Sequence, residues 1–236
     1  MAGATAWSTL VRYAQMSTSR PWRATSSPPS TISLTAGARM AILIDSGTPE
    51  ADKNFWATTP ECFQDGQALY GRPFAVDVCA EPLTAKCQRY YGNPALYDAV
   101  LDYRTGADVR AMMRESGNIC VALDSLAVDW PEHWWCNPPF DHKLAFIGQA
   151  RRQQAAGRPG MMLLPYEPLA GWWRKRLAFG VIVYEPDGRY QFCERDGVTR
   201  KQGANFGSAL VVFPTHHIGE SPRIRFERGI GQLAQK

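Results

Sequence analysis

The chain has 236 residues, 45% of them hydrophobic and 20% charged, the balance of a globular protein that can bury one good core with room for a small appendage. No stretch approaches the ~20 apolar residues needed to cross a bilayer, and the six cysteines form no C-x-x-C pair; a membrane partner, a disulfide framework and a zinc ribbon are not expected, and free thiols in a reducing cytosol are. The net charge of +4 is polarised: residues 1–44 hold Arg12, Arg20, Arg23 and Arg39 and no acid, residues 45–170 carry 11 bases and 16 acids, and residues 171–236 carry 11 bases and 6 acids, which leaves a basic C-terminal quarter available to phosphates.

The first 44 residues read as a disordered tail, because residues 16–38 are dominated by Ser, Thr, Pro, Ala and Arg and show no apolar periodicity. A transit peptide and an upstream start codon, with the protein beginning at Met40, stay open for this segment. Order is predicted from about Asn54. Thr59, Pro60 and Glu61 supply a capping hydroxyl, a proline at the first helical position and an acid in the first turn, so a helix is expected there with Phe63 and Leu69 inward. Pro73–Ala80 is a short apolar strand signal broken by the carboxylate of Asp77. In a doubly wound sheet the carboxyl ends of the strands border the cofactor crevice, where Asp77 would hold an ammonium group; a helix cap is the other reading. No G-x-G-x-x-G follows, which argues against a pyrophosphate-bearing dinucleotide.

Residues 83–117 are mostly helical in character, with breaks at Gly92-Asn93-Pro94 and Thr105-Gly106. Ile119–Leu123 is a strongly apolar strand candidate that ends at Asp124, which is placed either to accept from an adenine amino group or to shape a turn. Next comes the stretch around which the rest is organised, Trp134-Trp135-Cys136-Asn137-Pro138-Pro139-Phe140. An apolar run stopped by Asn-Pro-Pro-aromatic predicts a buried strand and a rigid loop: the prolines fix two φ angles and donate no N–H. The Pro138 carbonyl and the Asn137 side chain are then adjacent acceptors, and Phe140 offers a π-face to a flat ring. Two acceptors and a stacking ring suit an exocyclic nucleobase amine, whose N–H hydrogens they grip while drawing its lone pair out of conjugation. A strand followed by a Pro-Pro turn and a packed Phe fits the same residues.

Beyond this loop, residues 143–156 predict a helix with Leu144, Ile147 and Ala150 on one face. Gly160–Tyr166 is a buried strand, and Trp172-Trp173 begins the next helix. Two further strands, Gly180–Tyr184 and Ala209–Phe213, flank an excursion over residues 185–208 in which Arg189, Arg195, Arg200 and Lys201 interleave with Tyr190, Phe192 and Phe206. That excursion is expected either to reach onto DNA, with bases for phosphates, or to be an ordinary surface hairpin. His216-His217 lacks metal-ligand spacing, and no metal is expected. The segment after Gly219 is basic and expected to be loosely ordered.

Taken in order, Trp56-x-Thr-Thr-Pro60, Phe74-x-Val-Asp77-x-Cys79-Ala80, Asp124-x-Leu126, Trp135-Cys-Asn137-Pro138-Pro139-Phe140, Leu163-Leu-Pro165 and Trp172-Trp173 resemble the phage-type DNA N6-adenine methyltransferase family (phage Dam-like) over roughly residues 54–213. The resemblance implies an α/β fold, a Rossmann-like methyltransferase sheet with a small C-terminal basic hairpin insertion, within a domain at 45–219. It implies S-adenosylmethionine as cofactor, DNA as partner, and a bacterial cytoplasm reached by phage or prophage. By the same likeness Asn137, Pro138, Pro139 and Phe140 form the catalytic loop, and Thr59, Pro60, Asp77, Cys79, Ala80, Asp124 and Leu126 touch the cofactor. Two departures stand: Val-Cys-Ala-Glu replaces the Phe-x-Gly-x-Gly of many methyltransferases, and Phe140 replaces the usual Tyr. A protein glutamine methyltransferase, which works on another conjugated amine with Asn-Pro-Pro-Tyr, and a non-catalytic DNA-binding protein on the same scaffold stay open.

Overall fold

The computed structural model describes residues 56–94, 111, 115–201 and 206–233; the expectations for the tail 1–44 and for most of 83–117 lie outside them. In chain order the described elements are β1 (Ala57–Thr58), α1 (Pro60–Tyr70), β2 (Val76–Asp77), β3 (Arg89–Gly92), β4 (Ile119–Leu123), β5 (Trp134–Cys136), a 3-10 turn (Phe140–His142), α2 (Lys143–Ala155), β6 (Gly160–Pro165), α3 (Gly171–Leu177), β7 (Ile182–Pro186), β8 (Phe192–Cys193), β9 (Arg200–Lys201), β10 (Ser208–Phe213), β11 (Arg223–Phe226) and α4 (Ile230–Leu233).

The fold is mixed α/β. Eight strands make one mostly parallel sheet in the order β11-β7-β10-β6-β5-β2-β3-β4, with β10 antiparallel to both β6 and β7. From β2 the chain runs outward through β3 to β4 and then returns to the other side of β2 to lay down β5 and β6. The order reverses between β2 and β5. That reversal is a topological switch point, where diverging loops leave a crevice at the carboxyl ends of the strands.

Both faces of the sheet centre are covered, so its strands read as continuous apolar runs rather than alternating ones. Period-2 geometry divides each run between two cores. Trp134, Met162, Leu164, Val211 and Phe213 pack with Ile147 and Ala150 of α2 and Trp173 and Leu177 of α3. Their neighbours Trp135, Met161, Leu163, Leu210 and Val212 pack with Cys62 of α1 and with Trp56, Tyr190 and Phe192. The paired indoles fit because small residues face them: a Cβ on Gly160 would lie 2.1 Å from the Trp134 ring, and one on Gly66 would lie 2.9 Å from the Trp135 ring.

Helix α1 starts as expected, with Thr59 Oγ1 accepting from Cys62 N at 3.4 Å and Gly71 closing it in the left-handed region. Its buried face is Cys62, Asp65 and Gly66; Phe63 and Leu69 are partly buried at its flank. On α2, Ile147 and Ala150 are buried as expected, whereas Leu144 is 45% exposed and Phe146, Gln149 and Gln153 complete the inner face. Within 83–117, residues Arg89–Gly92 form a strand rather than helix, because Tyr90 and Tyr91 pair alongside β4 and are buried.

The segment after Gly219 is built into the fold. β11 lies parallel to β7, and α4 follows it onto α1 through Asp65. That carboxylate, fully buried, accepts from Tyr190 Oη at 2.6 Å, Gly229 N at 2.9 Å and Gly231 N at 2.8 Å. Burial, with Asp65 alongside, pushes the Tyr190 hydroxyl far up, so it stays a donor. Asp65→Ala would leave two buried donors, Tyr190 Oη and Gly231 N, and the half-buried Gly229 N without this acceptor, each buried one costing ~1–3 kcal/mol. The expected loss of unfolding free energy in urea is about 3 kcal/mol or more, and a loss under 1 kcal/mol would show that the clasp is incidental.

Candidate active site

The crevice predicted by the strand reversal holds a cavity of about 290 Å³. Asp77 at the end of β2, Gly92 at the end of β3, Asp124 just past β4 and Asn137 just past β5 all line it. Four parallel strands therefore deliver their carboxyl-terminal ends to one place, although the positions span 60 residues of chain. Cys79, Ala80, Leu126 and Pro139 also line it. Thr59, Pro60, Pro138 and Phe140 do not. Thr59 and Pro60 cap α1, and the wall expected from them comes from Trp56, Ala57 and Thr58.

The Asn137 amide is held by Trp56. Its Nδ2 donates to the Trp56 carbonyl at 3.0 Å, and a carbonyl can only accept, so the amide orientation follows from chemistry. Oδ1 is thereby turned the other way, buried, with no hydrogen-bond partner among the described residues. A buried acceptor with no donor is costly, and this one belongs to a residue lining the cavity. Phe140 stands nearly perpendicular to Trp56, Phe192 and Phe206, with centroids 6.1, 6.0 and 5.0 Å away; Trp56 and Phe206 stack on each other at 6.0 Å. Lys143 Nζ donates to the Phe140 carbonyl at 3.1 Å, which fixes the loop from α2. His142 also lines the cavity.

Asp77 is enclosed, with 3% of its surface exposed. Its carboxylate accepts from Cys79 N at 3.2 Å and Lys86 N at 3.0 Å. Burial outweighs these two amides and the Lys86 charge, and the carboxyl is pushed up to about 7. Asp124 is different: it is exposed, sits at φ 54, which Asp tolerates better than most residues, and accepts from Leu126 N at 3.3 Å to shape its turn. Asp77 thus offers a cation a buried partner, and Asp124 offers polar groups a hydrated one.

The excursion 185–208 does contain an antiparallel pair, β8 with β9. β8 pairs in turn with β1, Thr58 opposite Phe192, so the pair backs the cavity wall formed by Trp56–Thr58. Its cations divide. Arg195 grips Glu81 with two hydrogen bonds at 2.5 and 2.7 Å, and Lys201 pairs with Glu194 at 3.0 Å. Arg189 and Arg200 are exposed, Arg200 reaching Gln191 at 3.1 Å. Glu81 itself lines the cavity, and a Cβ on Gly197, between β8 and β9, would meet the Leu83 carbonyl at 2.4 Å. The turn between β8 and β9 is therefore latched onto the loop after β2.

Several lining residues escaped the sequence reading. Thr84 and Tyr91 belong to a stretch read as helical, Asn93 and Pro94 to the break within it, Glu81 to the departure from Phe-x-Gly-x-Gly, and His142 to the turn beyond Phe140. Among the described residues no group of three or more His, Cys, Asp or Glu side chains is arranged to hold a metal, no helix is long and apolar enough to cross a membrane, and all six cysteines are free.

Residues 115–227 match the family model described as DNA N-6-adenine-methyltransferase (Dam). The matched segment includes Asp124, the Asn137–Phe140 loop, α3 and the excursion, and it supports the phage-type Dam-like family that the ordered motifs resemble. The family indicates a DNA adenine methyltransferase. No curated protein matches the chain.

Proposed function

We propose, from the match of residues 115–227 to the DNA N-6-adenine-methyltransferase family model, that this protein methylates the N6 amine of adenine in DNA, with S-adenosylmethionine as donor. The observation that carries the reading is the buried, unpartnered Oδ1 of Asn137 at the cavity, aimed by the bond from its own Nδ2 to Trp56 O. The eight-stranded sheet is compatible with the Rossmann-like methyltransferase fold, and the cavity lies at its strand reversal.

The residues present fit the donor: Asp77 is a buried carboxylate for its ammonium group, Leu126 an apolar contact for its base, and Asp124 a polar partner at the rim. The donor supplies a methyl group on an already activated sulfonium. The chain's own part is positioning. Asn137 Oδ1 accepts one amine hydrogen, and the Pro138 carbonyl, which no described donor takes, accepts the other. Both acceptors favour a pyramidal nitrogen with its lone pair exposed, and dipoles fixed before the reaction cost no reorganisation during it. Phe140, held by three aromatic neighbours, offers the ring for stacking once the adenine is flipped out of the duplex at a cost of a few kcal/mol. The proton leaves for solvent after transfer.

Expression in a methylation-free host followed by sequencing with modified-base detection tests the reading directly. N6-methyladenine above the background of an empty vector is expected; its absence, with cofactor binding intact by calorimetry, would rule the reaction out.

Arg195 takes a different role from the one its place in a basic excursion suggests. Arg195→Ala removes the two-bond grip on Glu81 in a protein wall, and losing one side of such a buried ion pair costs up to roughly 3–5 kcal/mol. Cofactor affinity is expected to fall at least about tenfold, with the salt dependence of DNA binding unchanged. A flatter salt dependence with unaltered cofactor titration would return Arg195 to the DNA surface.

A further inference from the structure

Outside helix α3, the described cations of the C-terminal quarter are mostly occupied, the exposed Arg189 excepted. Arg195 and Lys201 are paired with Glu81 and Glu194, Arg228 with Asp187, and Arg223 and Arg225 both lie 4.0 Å from Glu185. Helix α3 stands apart. Arg174, Lys175 and Arg176 are consecutive and exposed, and among the described residues none of their side chains meets an acid or a hydrogen-bond partner. The acid nearest in sequence, Glu167, is taken by Trp172 Nε1 at 2.6 Å. A cation in the last turn of a helix is favoured by the macrodipole, but three adjacent ones repel each other, and a seven-residue helix gains little from the second and third.

The same helix is joined to the catalytic loop. Trp172 lies under Lys143 Nζ, 5.5 Å from its ring centroid, and that ammonium holds the Phe140 carbonyl. Trp173 and Leu177, four residues apart, face the core, so Trp172, Lys175 and Arg176, related by three and four positions, share an outer face. Large apolar side chains stand at both ends of the helix: Leu169 is 80% exposed and Phe179 67%. Apolar and aromatic groups interleaved with unpaired bases make a surface for a polyanion that also carries flat rings.

We propose that α3, through Arg174, Lys175 and Arg176, is the phosphate-contacting surface for the DNA duplex, and that it sets the duplex beside the Asn137–Phe140 loop. The proposal rests on the reading of DNA as substrate and moves the main electrostatic contact away from the excursion 185–208. Phosphate contacts fix register without reading bases, which suits a run of cations that meets no partner of its own.

The test is the affinity for a fluorescently labelled, adenine-containing duplex of about 20 base pairs, measured by anisotropy across a salt series. Three proteins are compared: wild type, the triple variant Arg174→Ala/Lys175→Ala/Arg176→Ala, and the double variant Arg189→Ala/Arg200→Ala. Each lost phosphate contact reduces the slope of log affinity against log salt by about 0.9, so the triple variant should lose roughly two to three units of slope and the double variant less than one. Calorimetric binding of S-adenosylmethionine should be unchanged in both, which also reports folding. The single Lys175→Glu variant, with minimal risk to the helix, should lose at least one unit. A triple variant superimposable on wild type would overturn the proposal, as would a larger loss in the double variant. Wild type that binds cofactor but no DNA at any salt would overturn the substrate reading itself, a separable outcome.

Discussion

Replacing Asn137 with alanine is expected to lower methyl transfer to DNA by at least about 10³-fold while changing cofactor affinity by no more than a few-fold. A preorganised hydrogen-bonding group aimed at a reacting centre is worth roughly 10²–10³ in rate, and here the truncation also removes the bond to Trp56 O that joins the loop after β5 to the wall at β1. Asn137→Asp is the informative companion. It keeps an acceptor at the cavity but sets a second oxygen against the Trp56 carbonyl, so it should retain more activity than alanine and less than wild type. Single-turnover transfer with cofactor titrated in parallel measures both. Transfer by Asn137→Ala within tenfold of wild type would remove Asn137 from the chemistry.

Asp77 should make cofactor binding depend on pH. An acid whose folded pKa is raised, here from 3.8 to about 7, adds stability that is fully present below its unfolded pKa and is lost as pH rises through its folded one. Between pH 4 and 7 the unliganded protein should therefore lose up to about 4 kcal/mol of unfolding free energy from this group, at 1.36 kcal/mol per unit. An ammonium beside the carboxylate reverses the preference and favours the ionised form. Binding below pH 7 then releases a proton, and S-adenosylmethionine affinity should rise nearly tenfold per unit between pH 5 and 6.5 and flatten above 7. Asp77→Asn should weaken binding at pH 8 and abolish that slope. Calorimetry at pH 6 in two buffers of different ionisation enthalpy measures the proton directly; equal apparent enthalpies would mean that Asp77 does not face the cation.

What could be read in the sequence follows the strength of local signals. Gly160–Pro165 and Ser208–Phe213 are fully buried apolar runs inside the sheet, Ile119–Leu123 is an apolar run at its edge, and the Asn-Pro-Pro break marks a strand end whatever surrounds it. The two-residue strands β1, β8 and β9 are too short for any period to show. β3 was hidden by flanking breaks that mimic helix ends, and β11 by its two arginines, which point to solvent from an edge strand. At the site, Asp77, Asp124 and Asn137 were legible because strand ends announce themselves. Arg195 was legible as a charge and misleading as to its partner: Glu81 lies 114 residues away, and no pattern in a single chain records such a pairing. The same limit applied to Thr59 and Pro60, whose capping chemistry was plain but whose neighbours Trp56–Thr58 form the wall.

The carboxylate of Asp65, on the first described helix, is completed by the amides of Gly229 and Gly231, and a Cβ on Gly231 would lie 2.3 Å from the Gln64 backbone. During synthesis, which delivers the N-terminal part first, α1 therefore emerges with a buried-type acid whose last two partners, Gly229 and Gly231, are more than 160 residues from being made. Until they arrive its inner face must stay hydrated or be shielded by other proteins. The parallel pairings of β2 with β5 and of β7 with β11 add to this delay, since distant partners make slow folders. Emergence of residues 229–231, rather than of the Asn137 loop, becomes the moment at which this fold closes, and nascent chains stalled before residue 229 should remain protease-sensitive through α1 even with the Asn137 loop already outside the exit tunnel.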